Sequence, residues 1–295
     1  MNHPLAVITV TYSPGEYLER FLDSLSRATI RDVIVVMADN GSVDGAPEKA
    51  AQQHDNVFLL PTGGNLGYGT AINIAARALR RGDYGDIDTE HLLISNPDVV
   101  FGPGSIDELL DCSSRHDSAA CVGPLIVEPD GSIYPSARAV PTLRNGIGHA
   151  LFGSIWPSNP WTAAYKDDAD MATERKAGWL SGSCLLVRWD PFLSIGGFDE
   201  RYFMYLEDVD LGDRFGRAGW DNILCPTATI THAKGHSTES VPEAMLPAHH
   251  DSAFRFQADR HAGAFYAPLR AALWLGLKTR AALAVACAKK GKSHC

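Results

Sequence analysis

Three carboxylates, Glu207, Asp208 and Asp210, fall within four residues in the segment Tyr205-Leu206-Glu207-Asp208-Val209-Asp210-Leu211. Crowding like charges beside apolar neighbours costs free energy through repulsion and desolvation, so the cluster needs a use. One use is a general base held against a substrate pocket. The other is the first turn of a helix, where the positive dipole end favours Asp and Glu. Three more polar signatures lie upstream: Asp39-Asn40-Gly41-Ser42, Gly63-Gly64-Asn65-Leu66-Gly67 and Asn96-Pro97-Asp98. Where the fold puts them decides between the two uses.

Leu5 to Thr11 is a continuous β-prone run without alternation, as expected of a strand buried on both faces. Ser13-Pro14-Gly15-Glu16 then reads as a capping box with proline at the first helical position, followed by Leu18, Phe21, Leu22 and Leu25 at helical spacing. Further apolar runs cover Val33 to Ala38, Val57 to Leu60 and His91 to Ser95, with a helix expected from about Tyr68 to Leu79. Strand and helix alternate four times in about 100 residues, which predicts an α/β fold with a mostly parallel, doubly wound sheet. Ligands of such sheets bind beyond the carboxyl ends of the strands. Thr11-Tyr12, Asp39-Asn40, Gly63 to Asn65 and Asn96 to Asp98 all lie at those ends, and four signatures at one edge favour a site. Regularity lapses from about 132 to 178 and returns with strand-like Ser183 to Val187.

The 295 residues are 45% hydrophobic and 21% charged, enough for a sizeable core. No uncharged apolar run approaches the roughly 20 residues that span a bilayer, and Met1-Asn2-His3-Pro4 leads straight into a strand without a signal-peptide pattern. The six cysteines show neither CxxC pairing nor zinc spacing, so reduced thiols in the cytoplasm are expected. A net charge of -9 argues against nucleic-acid binding. The charge is unevenly spread, because residues 252–295 carry eight Lys/Arg and only one acid, Asp259.

Two nucleotide motifs fail. GxGxxG would need a glycine at Ile72, and GxxxxGK[ST] would need one at Ala286. His232-Ala233-Lys234-Gly235-His236 is not HExxH, since Ala233 cannot act as a base. The elements present are Val7–Tyr12, Asp39-Asn40-Gly41-Ser42-Val43-Asp44-Gly45, Asn65-Leu66-Gly67-Tyr68-Gly69, Asn96-Pro97-Asp98, Gly182-Ser183, Gly197-Phe198-Asp199-Glu200 with Phe203, Glu207-Asp208 and His232. In that order, over roughly residues 5–240, they resemble the family 2 inverting glycosyltransferases with the GT-A fold, and the variants around Asn65, Asn96 and Phe198 to Leu211 look like the rhamnosyltransferase subgroup.

The resemblance implies a nucleotide-sugar donor and a single displacement in which an acceptor hydroxyl attacks the anomeric carbon. Asp208 matches the family's base. Glu207 and Asp210 would raise its pKa and the helix N-terminus would lower it. Asp98 and His232 match the ligands of Mg²⁺ or Mn²⁺, although Asn96 departs from the usual Asp-Xaa-Asp and is expected at the ribose or sugar instead. Asp39 is expected to accept from the base or ribose, its alternative being an Asx turn with Asn40 and Gly41. Thr11, Tyr12, Asn40, Asn65 and Gly67 line the nucleotide edge, Asp44 either binds or caps the next helix, Asp199 and Glu200 build a sugar pocket, and His236 contacts phosphate or belongs to a loop. The subgroup implies dTDP-L-rhamnose as donor and a polyprenyl-diphospho-N-acetylglucosamine acceptor of cell-wall linker synthesis. Two rivals remain. A catalytically silent nucleotide-sugar-binding protein is opposed by Asp98, Asp208 and His232. A sugar-1-phosphate nucleotidyltransferase is opposed by the absence of a basic residue in Thr9–Ser13.

Residues 1–245 are thus expected to form the GT-A domain, with halves of about 1–125 and 126–245, and 246–295 a basic, apolar helical tail. Leu269, Leu273 and Leu277 recur at helical spacing beside Trp274. The tail is expected to lie on an anionic membrane at the cytoplasmic face, or else to dock on the body or on a second subunit as a homo-oligomer contact.

Overall fold

The structure, a computed structural model, describes residues 3–143, 170–233 and 242–289. Its main sheet has the order β3-β2-β1-β4-β11-β6-β12-β5. The strands are β1 (Leu5–Thr11), β2 (Val33–Asp39), β3 (Val57–Pro61), β4 (His91–Ser95), β5 (Val99–Phe101), β6 (Ala119–Val127), β11 (Cys184–Arg188) and β12 (Asp221–His232). Two short strands, β7 (Ile133–Tyr134) and β9 (Arg175–Ala177), add to β6 and β12, while β8 (Ala137–Arg138) and β10 (Trp179–Leu180) form a separate ribbon. The β3-β2-β1-β4 half is parallel, as alternation predicts. Beyond β4 the sheet is mixed, because β11 runs antiparallel to both β4 and β6.

Side chains alternate across β1, so Leu5 and Val7 face one layer and Ala6 and Ile8 the other, all fully buried. The first layer holds α1 (Tyr17–Ala28) and α4 (Ser105–Arg115), packed through Leu18, Phe21, Leu25, Ile106 and Leu109. The second holds α3 (Tyr68–Arg80), α5 (Trp189–Ser194) and α6 (Glu207–Arg217), packed through Ile72, Leu79, Trp189, Phe192, Leu211 and Phe215. Each such side chain contributes on the order of 1.5–3 kcal/mol through burial. The short α2 (Ala46–Gln53) covers β3.

The capping box expected at Ser13 does not form. Ser13 is left-handed (φ 51), and α1 begins after Glu16 without a side-chain cap. A tertiary stitch replaces it. Ser13 N–H donates to Ser42 Oγ at 2.8 Å, Val43 N–H donates to Ser13 Oγ at 3.0 Å, and Gly15 N–H donates to Asp44 Oδ2 at 2.7 Å. Asp44 Oδ1 also accepts from Ala46 N–H at the start of α2, so its carboxylate joins two loops.

At the C-terminus α7 (Pro242–Arg260) docks on the body. Phe256 packs with Tyr202 and Val209, Ser252 Oγ donates to the Met204 carbonyl, and Arg201 bridges Asp199 and Asp259 at 2.5 Å each. Then α8 (Ala267–Lys289) lies along α7 with Leu269, Leu273 and Leu277 half-buried. Phe265 is 89% exposed, Leu275 62% and Trp274 49%. Part of the tail's basic charge is already used: Arg260 pairs with Asp213, Lys278 with Asp251, and Arg270 donates to the carbonyls of His261 and Gly263.

Candidate active site

After β4 the chain turns through Asn96-Pro97-Asp98 into β5. Pairing of β5 with the end of β12 sets His232 opposite Val99. That register brings His232 Nε2 to 3.1 Å from Asp98 Oδ1 and 3.4 Å from Asn96 Nδ2. Asn96 is fixed by its own N–H, which donates to the Ser183 carbonyl at 2.9 Å. Neighbouring ligands of an octahedral cation bonded at about 2.1 Å sit about 3 Å apart. Asp98 and His232 therefore have the spacing of two adjacent ligands, and a carboxylate with an imidazole suits a divalent ion.

The second corner is the start of α6. Tyr205 and Leu206 are both left-handed (φ 68 and 62), a conformation that side chains with a Cβ rarely adopt. Strain of this kind concentrates at functional sites. Here it delivers Asp208 to Gly182, whose N–H donates to Oδ2 at 3.0 Å, while Val209 N–H donates to Oδ1 at 2.8 Å. A Cβ on Gly182 would lie 3.2 Å from that of Asp208, so the close approach relies on glycine. The Gly182 carbonyl accepts from the Tyr68 hydroxyl at 2.6 Å. One peptide group thus ties α3 to the carboxylate.

Burial raises the pKa of Asp208; the backbone N–H groups of Gly182, Val209 and Asp208 itself and the positive charge of Arg138 oppose it without cancelling it. Burial, and then the charge of Asp208, push Glu207 up to about 8. Glu207 is 9% exposed, and its Oε2 has no hydrogen-bond partner among the described residues. Asp210 leaves the cluster. It pairs with Arg214 at 2.6 Å, and Arg214 in turn donates to the carbonyls of Ile195 and Gly197, bracing α6. The acid electrostatically coupled to Asp208 is Glu207. The Tyr68 pKa is raised first by burial and then by Glu207, Cys184, Asp208 and Asp98, so Tyr68 lies within reach of both corners.

At the edge formed by β1 to β3, Asp39 Oδ1 accepts from Thr11 Oγ1 at 2.7 Å and from Ser42 Oγ at 2.5 Å, and Oδ2 accepts from Gly41 N–H at 3.1 Å. This is the Asx turn. Asn40 faces inward, its Nδ2 donating to the Gly67 carbonyl at 3.1 Å. Gly67 is buried against Phe203, whose carbonyl oxygen would lie 2.2 Å from a Cβ there. Tyr12 is 49% exposed, and Asn65 is exposed with its Oδ1 accepting from Gly67 N–H.

Residues 3–246 match the family model described as "Glycosyltransferase like family 2". This chain belongs to that family. An N-acetylglucosaminyl-diphospho-decaprenol L-rhamnosyltransferase of Mycobacterium tuberculosis is 55% identical over 289 residues, 97% of this chain and 94% of the relative. Rhamnosyltransferase WbbL of Escherichia coli is 26% identical over 253 residues, 85% of this chain and 92% of the relative. Among solved structures, GalNAc-T7 with UDP, GalNAc and Mn²⁺ superposes with a TM-score of 0.58 at 14% identity, over 79% of this chain and 44% of that one. TarS 1–349 of S. aureus gives 0.54 at 14% identity, over 85% and 64%. Both share the GT-A fold.

In this glycosyltransferase the fold gathers Asp98, Asn96 and His232 at one corner and Glu207 with Asp208 at the other. Asp39, Asn40, Thr11 and Gly67 form the adjoining edge, where Thr11, Asn40 and Gly67 hold the loops in place. Asp199 and Glu200 are engaged elsewhere. Burial disfavours ionised Asp199, but Arg201 outweighs it and lowers its pKa; Glu200 accepts from Arg77 at 2.9 Å and Asn73 at 3.1 Å on α3. His236 lies outside the described residues. Sequence reasoning passed over Tyr68, Gly182 and Arg138 as site residues. Tyr68 and Gly182 sat within quoted motifs, but only a pairing 114 residues apart reveals their joint role; no sequence signal marks Arg138.

Proposed function

We propose that this glycosyltransferase moves L-rhamnose from dTDP-L-rhamnose, with inversion, to a polyprenyl-diphospho-N-acetylglucosamine acceptor. The observation that carries the reading is the 55% identity, over nearly the full length of both chains, to the mycobacterial enzyme named as an L-rhamnosyltransferase for N-acetylglucosaminyl-diphospho-decaprenol; the donor and the inversion follow from the resemblance of the motifs. Asp208 takes the proton of the attacking hydroxyl. It suits that role because burial raises its basicity while Gly182 and Val209 hold its orientation. Asp98 and His232 hold a Mg²⁺ or Mn²⁺ ion, with Asn96 beside them; when bound, the ion neutralises charge on the departing diphosphate. Asp39 already accepts from Gly41 and Ser42 N–H on Oδ2, so binding a ribose hydroxyl or a base N–H means exchanging one of these loop contacts, and Tyr12 and Asn65 offer exposed surface at the same edge. Single-turnover transfer measured across a panel of nucleotide sugars tests the donor. Rhamnose from dTDP-L-rhamnose should transfer fastest, and preference for a UDP-hexose would overturn it.

Residues 1–245 act as the catalytic domain and 246–295 as an appendage that meets an anionic membrane at the cytoplasmic face. No described helix is long and apolar enough to cross a membrane. Phe265, Trp274 and Leu275 instead supply exposed apolar surface next to basic residues, which suits an interfacial helix. Truncation near Ala262 should abolish sedimentation with anionic vesicles while donor binding survives. A truncated protein that turns monomeric yet sediments normally would make the tail a subunit contact.

A further inference from the structure

Away from the active site, α4 carries Cys112, His116 follows just past the end of that helix, and Glu174 reaches them from the loop leading into β9. The Cys112 Sγ, an imidazole nitrogen of His116 and a Glu174 oxygen all lie within 4.8 Å of one another. His116 Nε2 is 2.7 Å from Glu174 Oε1. Cys225, on β12, sets its thiol beside that of Cys112; its Sγ faces the Glu108 carbonyl at 3.6 Å and Thr227 Oγ1 at 3.4 Å, and it offers a second sulfur just outside the three-donor cluster. The position is separate from the Asp98–His232 corner: Cys225 pairs with Pro124 of β6 and Thr231 with Val127, three residues or roughly 10 Å further along at about 3.3 Å per residue.

We propose that Cys112, His116, Glu174 and Cys225 form a binding site for a zinc-like divalent cation. Sulfur, imidazole and a single carboxylate are the donors that borderline-soft zinc selects and that Mg²⁺ or Mn²⁺ does not. Tetrahedral bonds of about 2.3 Å to sulfur and about 2.0 Å to nitrogen or oxygen place ligand atoms roughly 3.3–3.8 Å apart. The existing spacing closes to that by turning His116 and Glu174, whose side chains are 31% and 30% exposed, and by swinging the Cys225 thiol from Glu108 and Thr227 towards Cys112. Those two side chains also form the entry path, while both thiols are buried. Glu174 Oε2 is already held by Arg115 at 2.6 Å, leaving Oε1 to the cation. Carboxylate ligands are commonly oriented from behind in this way. Binding displaces the thiol protons of Cys112 and Cys225 to solvent and leaves His116 neutral. Two thiolates and a carboxylate then face Zn²⁺ and Arg115, so the buried charges balance. The bound ion would lock α4, β9 and β12 together.

The test uses untagged full-length protein, loaded with zinc, desalted over a weak chelating resin and assayed by elemental mass spectrometry. About one zinc per chain is expected, together with a thiolate-to-cobalt charge-transfer band when Co²⁺ replaces zinc. His116→Gln and Glu174→Gln change half-exposed side chains, so folded variants are expected, and each should weaken zinc affinity about tenfold or more. Zinc should raise the Tm of the unaltered chain and leave that of the double variant unmoved. Repeating the titration in an Asp98→Ala background keeps the other cation corner from contributing. Absence of retained zinc with no Tm shift would overturn the proposal, as would zinc held at unaltered affinity in the double variant. A Cys112–Cys225 disulfide that, once reduced, binds no zinc would overturn it too.

Discussion

Glu207 gives the sharpest link between burial and a measurable quantity. Its carboxyl is pushed up to about 8, first by burial and then by Asp208, against about 4.3 in an unfolded chain. A raised folded-state pKa means that the native protein holds this proton more tightly than the unfolded chain. The resulting stability is fully present below about pH 4.3 and is lost as pH rises towards about 8. Each pH unit in that window is worth at most about 1.4 kcal/mol, so at most about 4 kcal/mol is at stake between pH 5 and 8. Glu207→Gln mimics the protonated form at all pH values. The two proteins should have similar unfolding free energies at pH 5, and the variant should become the more stable one by a few kcal/mol at pH 8. Equilibrium urea unfolding at half-unit pH steps measures the difference, and taking the difference removes groups common to both chains. Parallel pH profiles for the two proteins would refute the reasoning, because Glu207 would then ionise natively as it does when unfolded.

Asp208→Asn should lower turnover by about 10²–10⁴ with donor affinity little changed, read by single-turnover transfer and by donor titration. If Glu207→Gln abolished transfer while Asp208→Asn retained it, the base would be the other carboxylate. Asp98→Ala should lose metal-dependent donor binding in calorimetry, and EDTA should silence the unaltered enzyme; full activity in chelator would contradict the cation corner. Gly63 and Gly67 have nearly the same φ (91 and 88), but a Cβ meets nothing at Gly63 and the Phe203 carbonyl at 2.2 Å at Gly67. Gly63→Ala should therefore cost only the left-handed penalty of about 1–2 kcal/mol, and Gly67→Ala clearly more, measured by denaturant unfolding. Equal losses would show that the contact with Phe203 is relaxed.

The parallel half of the sheet was legible because its strands are short apolar runs separated by helices of clear 3.6-residue periodicity, and β1 and β4 fall within the bounds that hydrophobicity marks. The antiparallel insertion of β11 was not, because a buried strand such as Cys184–Arg188 reads the same in either direction. The Ser13 capping box failed for a related reason. Local pattern favours a cap, whereas the observed partners Ser42 and Val43 belong to another loop about 30 residues away. At the candidate site, the acidic and amide residues announced themselves by type. Tyr68 and Gly182 did not, since a hydroxyl and a peptide group acquire meaning only when folding sets them beside Asp208. Asp199 and Asp210 show what residue type alone leaves out. Asp199 was expected at a sugar pocket and Asp210 beside Asp208, and nothing in the sequence hints that Arg201 and Arg214 pair with them.

The late arrival of β11 also shapes how the chain can be made. During synthesis, β1 to β4 emerge early and can pair through local βαβ units. On one side β4 meets β1, while its other edge is completed by Cys184–Arg188, about 90 residues later. Until then an apolar strand, His-Leu-Leu-Ile-Ser, carries an open row of backbone donors and acceptors at the middle of the future sheet, the kind of edge that recruits other chains. A ribosome stalled before residue 184 would hold a half-sheet without Asp208 or His232, unable to assemble either corner of the site and prone to aggregate through β4. Completing the sheet and assembling the site are thus the same folding event.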